Sequence, residues 1–298
     1  MEEQIETKSN KNWHDRNYKR LLLIPAILIL LSFVYLGVFN SQNGDFIHKD
    51  ISLTGGTAIT IYGNVDVQDL INSIGPKLND LSTREISDLV TREEIALIIE
   101  TKSSAELAKE VVEDYLGYEL TEENSSIEFT GSSLSESFYR QLLIAILVAF
   151  IFMAIVVFII FRTIVPSAAV IISAFADILM TLVLANMLGM KMSTAGIVAF
   201  LMLIGYSVDT DILLTTRILK RKEGNLNKRL IEASKTGLTM TLTSLLAMSL
   251  ALIVVKSFSP ILTQIFSIIV IGLGFDILNT WITNVSILKW YAKSKGIQ

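Results

Sequence analysis

Six stretches of this chain are apolar and nearly free of charge: 21–39, 142–161, 166–188, 193–215, 236–255 and 260–288. Each has roughly the 20 residues that a helix needs to cross a hydrocarbon layer of about 30 Å. The apolar residues are clumped rather than spaced along one face, so the pattern predicts six membrane-spanning helices. The run "LLIAILVAFIFMAIVVFIIF" is the clearest. Pro25 lies near the start of the first run, where a helix tolerates it. No small-x-small cleavage site follows that run, only "NSQNGDFIHKD", so it reads as an uncleaved anchor. The sixth run is longer than one span needs, which implies tilt or an interfacial end.

Between the first two spans, residues 40–141 change character. "TAITIYG" (57–63) alternates and ends at glycine, as a strand does. "DVQDLINSIGPKLND" (66–80) places Val67, Leu70, Ile71, Ile74 and Leu78 at helical spacing behind an Asp cap. "STREISDLV" and "EEIALIIET" read as two strands. "SSAELAKEVVEDYLGYEL" reads as a helix capped by Ser103 or Ser104 and ending near Gly117, and "SSIEFTG" as a last strand. The order β-α-β-β-α-β is that of the split βαβ, ferredoxin-like fold. The expected fold class is therefore a polytopic α-helical membrane protein: six transmembrane helices with an extracytoplasmic α+β domain between helices 1 and 2.

Composition supports the membrane assignment. Of 298 residues 51% are hydrophobic and only 18% charged, and the mean hydropathy is +0.54. The charge is sorted. Basic residues crowd the tail 1–20, the loop 217–235 and the tail 289–298, with Arg162 between the second and third spans. The short turns on the other side hold only Lys191 and Lys256. The excess of Lys and Arg orients a membrane protein, so both termini are expected in the cytoplasm and residues 40–141 outside. The same basic segments suit anionic lipid at the cytoplasmic face. Nineteen of the 29 acids fall between residues 45 and 136, which fits a solvated domain and points to no ligand.

No catalytic chemistry stands out. There is no cysteine, which excludes disulfides and thiolate sites. His14 and His48 have no partner at metal-ligand spacing. No Walker loop, GxSxG or HExxH occurs. No enzyme activity, metal, cofactor or nucleic-acid partner is expected.

Four carboxylates lie inside the spans: Asp177, Asp209, Asp211 and Asp276. A carboxylate at mid-bilayer costs about 2.5–3.5 kcal/mol on insertion scales, so such residues face a bundle interior or water. They mark a proton or ion path, or serve as polar contacts between helices. Asp209 and Asp211 are about 200° apart around their helix and cannot face one partner. Asp209 shares a face with Gly205 and Met202, and Asp211 shares one with Ser207 and Leu203. One is expected to face its own chain and the other a second subunit, with Asp211 close enough to the inner end to reach water. Polar residues also recur as Ser173, Asp177 and Thr181; as Thr236, Thr239 and Thr243; and as Gly272, Asp276, Asn279 and Thr283. The threonine stripe reads as packing. Arg217 closes the fourth span at the inner surface.

These residues resemble the SecF family, within the SecD/SecF group and the wider RND superfamily. The resemblance rests on a single anchor, "LTGGTAITI", a domain of this size, five further spans and "GYSVDTDILLTTRILK" in the fourth. It covers nearly the whole chain and is similar to archaeal members. Gly55, Gly56, Gly205, Tyr206 and Ser207 fall on the motifs, and Asp177 in "AFADILMTLV" matches an aspartate position of the third span. The bacterial fourth span reads Gly-Tyr-Ser-x-Asn-Asp-Thr. Its aspartate falls on Thr210, between Asp209 and Asp211, while Arg217 aligns with the bacterial arginine. Ser52 stands where bacterial members often carry Asp before Thr-Gly-Gly. The resemblance implies a SecD-like partner, a SecYE translocon, exported polypeptides as clients and use of the proton-motive force. On that footing Asp209 is the expected titrating group and Asp211 a packing group. An RND-type transporter of small molecules or lipids, and a structural scaffold, are the rival readings.

Overall fold

The computed structural model describes residues 20–88, 91, 93–220 and 226–296. The tail before residue 20, the end of the expected strand at Leu89–Val90, part of the basic loop (221–225) and the last two residues lie outside the described residues.

Helix α1 (Leu23–Asn43) is followed by one helical turn, α2 (Ile51–Thr54), and the sheet domain. The domain runs β1 (Gly56–Tyr62), α3 (Val67–Ile74), β2 (Ser82–Ser87), β3 (Glu94–Thr101), α4 (Ala105–Leu116) and β4 (Ser125–Thr130). The sheet order is β2-β3-β1-β4, and every pairing is antiparallel. Strand alternation decides its two faces. Ile59, Ile61, Leu97 and Ile99 point one way and are covered by Leu70, Ile74, Ala108, Val111 and Val112 of α3 and α4. Ser104 caps α4 as expected, Asp66 caps α3, and Gly117 ends α4 in the left-handed conformation.

Five long helices follow: α5 (Ser132–Phe161), α6 (Ile164–Met187), α7 (Thr194–Lys220), α8 (Leu226–Val255) and α9 (Pro260–Leu278). The last continues through a π-helical turn, Asn279–Asn284, into α10 (Val285–Ser294). Six helices, counting α9 through α10 as one, are long and apolar enough to cross a membrane. The long sixth run is thus one helix interrupted by π geometry. Helices α6 and α7 form the inner layer, and α1, α5 and α8 expose most of their apolar side chains.

The Gly-Gly motif occupies the junction between the two halves. Gly55 has φ +82°, and a Cβ there would lie 2.5 Å from Ser132 Cα at the start of α5. A Cβ on Gly56 would overlap the Thr101 carbonyl oxygen. Close backbone approach at two crossings therefore demands glycine.

Candidate ion-relay site and family membership

Three of the four membrane carboxylates converge. Asp177 comes from the middle of α6, Asp211 from α7 and Asp276 from the end of α9, and all three are fully buried. The spacings Ser173, Asp177, Thr181 and Gly272, Asp276, Asn279, Thr283 each bury completely, so both stripes mark inward faces. The π turn then adds a residue to the turn and brings Asn279, Thr280, Thr283 and Asn284 inward together.

Hydrogen bonds join two of the carboxylates, Asp211 and Asp276, through Thr280 and hold the third, Asp177, separately beside them. Asp177 accepts from Ser207 Oγ at 2.5 Å and from Asn279 Nδ2 at 2.7 Å. Thr283 donates to Asn279 Oδ1 at 3.2 Å, holding that amide in place. Asp211 Oδ1 accepts from Thr280 Oγ1 at 2.9 Å and from Asn284 Nδ2 at 2.7 Å. Thr280 also reaches Asp276 Oδ1 at 3.1 Å, so one hydroxyl sits between two carboxylates. Thr241 of α8 reaches Asp276 Oδ2 at 3.3 Å and lies 3.4 Å from the Thr210 hydroxyl. Among the described residues none of the three carboxylates pairs with Lys or Arg. Asp211 Oδ2 has no hydrogen-bond partner.

Small residues let the helices close around this network. A Cβ on Gly272 would overlap the Leu203 methyl groups, and one on Gly237 would lie 2.6 Å from the Trp281 ring. Gly196 abuts Met192 and Gln264 of its own chain. On the sheet-domain side of the network, Leu203, Ile268, Ile269 and Leu273 form an apolar layer.

The remaining candidates lie elsewhere. Asp209 is exposed and continues an outward stripe of Val198, Met202 and Gly205 along α7. Asp211 does not reach water, because the π turn and Asn284 cover it. Ser207 joins the network directly, and Tyr206 packs against the apolar core beside it. Arg217 does not approach the carboxylates: its Nη1 donates to the Glu232 carbonyl at 2.8 Å and ties α7 to α8. The threonine stripe of α8 makes no interhelical bonds. Thr236, Thr239 and Thr243 donate to carbonyls of their own helix, and the last two are exposed. The sequence reading had not drawn in Thr280, Asn284, Thr210 or Thr241 as members of the site. The polar cluster "NTWITN" and the four-residue spacing from Asp276 signal Thr280 and Asn284; Thr210 and Thr241 carry no such signal.

The family model "Protein export membrane protein SecD/SecF, C-terminal" matches residues 109–294. The chain is 41% identical over 281 residues to the protein-export membrane protein SecF of Methanocaldococcus jannaschii, covering 93% of this chain and 96% of that one. It is 37% identical over 286 residues to SecF of Methanothermobacter thermautotrophicus, covering 94% and 95%. Among solved structures it superposes on SecDF, a translocon-associated membrane protein from Thermus thermophilus, with a TM-score of 0.70 at 18% identity. That match covers 93% of this chain but only 38% of the SecDF chain. SecDF in a super-membrane-facing form gives a TM-score of 0.62 at 19% identity, covering 94% and 39%. The chain belongs to the SecD/SecF family of protein-export membrane proteins, on its SecF side.

Proposed function

We propose that this chain is an accessory subunit of the Sec translocase that works with a SecD-like subunit beside a SecYE translocon. It assists exported polypeptides in leaving the membrane and is not an enzyme. The superposition on 38% of the SecDF chain supports a chain that contributes one part of a larger assembly. The distribution of Lys and Arg supports cytoplasmic termini and an outer sheet domain, with anionic lipid meeting the basic loop. The sheet order and the two helices on one face support the ferredoxin-like, split βαβ arrangement for that domain.

The observation that carries the energetic part is the buried network of Asp177, Asp211 and Asp276 with no basic partner among the described residues. Three buried carboxylates cannot all stay ionised without a compensating charge. Protons supply that charge, and the Thr280 hydroxyl offers a path for them between Asp211 and Asp276. One charge crossing 100 mV is worth about 2.3 kcal/mol, enough to bias a two-state helix arrangement. Asp177 has both oxygens satisfied and suits a locking role. Asp211, with one unpartnered oxygen, suits the titrating role and takes it over from Asp209. Asp209 lies on the outward stripe and suits contact with the SecD-like subunit.

The test is co-purification of a SecD-like partner from native membranes, followed by reconstitution with and without a proton gradient. Export that the gradient stimulates in the wild-type pair, and not in the Asp211→Asn pair, supports the reading. Equal stimulation in both sinks the relay and leaves the scaffold reading.

A further inference from the structure

The sheet face not covered by α3 and α4 roofs a cavity of about 330 Å³ above the ends of the membrane helices. Arg84, Glu100 and Glu128 line it from the sheet, and Asp50 and Gln264 from below. Asp50 belongs to the membrane half. Its amide donates to the Met192 carbonyl at 3.0 Å, and the Met192 amide donates to the His48 carbonyl at 2.5 Å. Its carboxylate caps α2 by accepting from Ser52, whose hydroxyl in turn accepts from the Thr194 amide at the start of α7. Glu100 belongs to the sheet and is paired with Arg84 at 3.0 Å. The β-ladder sets Glu100 and Glu128 on either side of Ala58. Asp50 and Glu100 are only 6% and 9% exposed. Two nearly buried carboxylates from different halves of the molecule thus face one cavity, which the guanidinium paired with Glu100 also lines.

We propose that Asp50, Glu100 and Arg84 form a proton-operated latch that holds the sheet domain down on the membrane helices and loosens as both carboxylates ionise. Burial raises the carboxyl of Asp50, with Ser52 and Arg84 opposing. Burial also raises that of Glu100, where Arg84 lowers it and the charge of Asp50 raises it again. A group whose pKa is raised in the closed state binds more protons there than in the open state. It therefore favours closure at low pH and loses that contribution as pH rises through its closed-state value. The other charged groups at the junction do not reverse this sign. Lys191 faces Glu100 and is also held to Asp80 at 3.3 Å, while Lys102 reaches Asp80 at 2.9 Å. The hydrogen bond from Lys102 keeps Asp80 below its ordinary value, so this second tie stays ionised across the same window. Lys49 is engaged with Asp45 at 2.5 Å. On the proposed orientation the latch meets the outer solution, although its chemistry does not depend on that orientation.

The structure contains its own reporter. The Ser87 amide on β2 donates to the Ser257 carbonyl in the α8–α9 turn at 2.8 Å, directly across the junction. Hydrogen exchange of the full chain in lipid nanodiscs, between about pH 5 and pH 8, reads its opening once corrected for the intrinsic pH dependence. Protection of Ser87 should fall as pH rises, by up to about tenfold per pH unit for each proton released. Ile59 and Ile99, inside the sheet, should keep constant protection. Glu100→Gln and Asp50→Asn should each flatten the slope and keep Ser87 protected, and Arg84→Gln should steepen it. A pH-independent Ser87 in the wild type, an unchanged slope in both carboxamide variants, or parallel loss at Ile59 and Ile99 overturns the latch.

Discussion

Replacing Asp211 by Asn and by Ala separates its two roles. Asp211 Oδ1 accepts from Thr280 and Asn284, whereas Oδ2 accepts from nothing. Asparagine keeps the accepting oxygen and puts an amide in place of the other, where the buried Ser173 hydroxyl, also without a partner among the described residues, can accept from it, so folding stability should change by less than the ~0.6 kcal/mol of an average interhelical hydrogen bond. Alanine removes the acceptor. Thr280 retains Asp276 at 3.1 Å, so the one stranded donor is the Asn284 amide. An unsatisfied buried donor costs about 1–3 kcal/mol in general. Interhelical hydrogen bonds in membranes average about 0.6 and reach about 1.7 kcal/mol. The membrane values apply here, and Asp211→Ala should lose about 0.6–1.7 kcal/mol. Reversible unfolding in mixed micelles measures both variants, and gradient-stimulated export by the reconstituted pair measures function. Asp211→Asn should unfold like the wild type yet lose the stimulation. Normal stimulation in Asp211→Asn, or destabilisation equal to that of Asp211→Ala, refutes the assignment of Asp211 as the titrating group.

Gly272→Ala should destabilise the chain by about 1–3 kcal/mol through overpacking against Leu203. Gly274→Ala, with open space around it, should be neutral in the same unfolding assay. Asp209→Leu should leave the isolated chain as stable as the wild type or more so, while lowering recovery of the SecD-like partner in pull-downs; unchanged recovery would turn the Asp209 stripe toward lipid. The chain is naturally free of cysteine, so single cysteines at Asn124 and Lys256 should react with an impermeant thiol reagent from outside. A cysteine at Lys220 should react only after the membrane is opened, and labelling of intact cells at that position would invert the proposed orientation.

The six helices were legible because a membrane span leaves no choice: its length and the absence of charge are imposed by the bilayer. The strand alternation of "TAITIY" and the caps Asp66, Ser104 and Gly117 were legible because each is a local signal. The inward faces of α6 and α9 could be read from polar residues at helical spacing. Two features were not accessible in this way. Thr236, Thr239 and Thr243 of α8 have a helical spacing but bond their own backbone, while Thr241 of the same helix reaches across to Asp276, and sequence cannot separate the two cases. The π turn is the second: Thr280 and Asn284 lie four and eight residues after Asp276 and share its face on an α-helical wheel, but no wheel shows the π geometry that turns Asn279 and Thr283 inward beside them. Asp211 is covered because both residues of that face reach its Oδ1.

The two aspartates of "GYSVDTD" draw these observations together. A helix that packs on its own chain on one side and on a partner on the other needs polar contacts on both faces. Two carboxylates about 200° apart meet that need with one residue between them. That residue, Thr210, is buried against Thr241 of α8, which keeps the helix from rotating either aspartate out of place. The inward carboxylate is held by Thr280 and Asn284. The outward one has Gly205 four residues before it, a small residue that lets another helix approach closely. In lipid such a carboxylate would cost about 2.5–3.5 kcal/mol near the bilayer centre. That is a large share of a marginal stability of about 5–15 kcal/mol. Retaining it on an uncovered face is therefore unfavourable for this chain alone and becomes reasonable only when a second set of helices covers it. On the proposed reading the same helix carries the relay on one side and the subunit contact on the other, so a change at the buried carboxylates would reach a partner through a single rigid element.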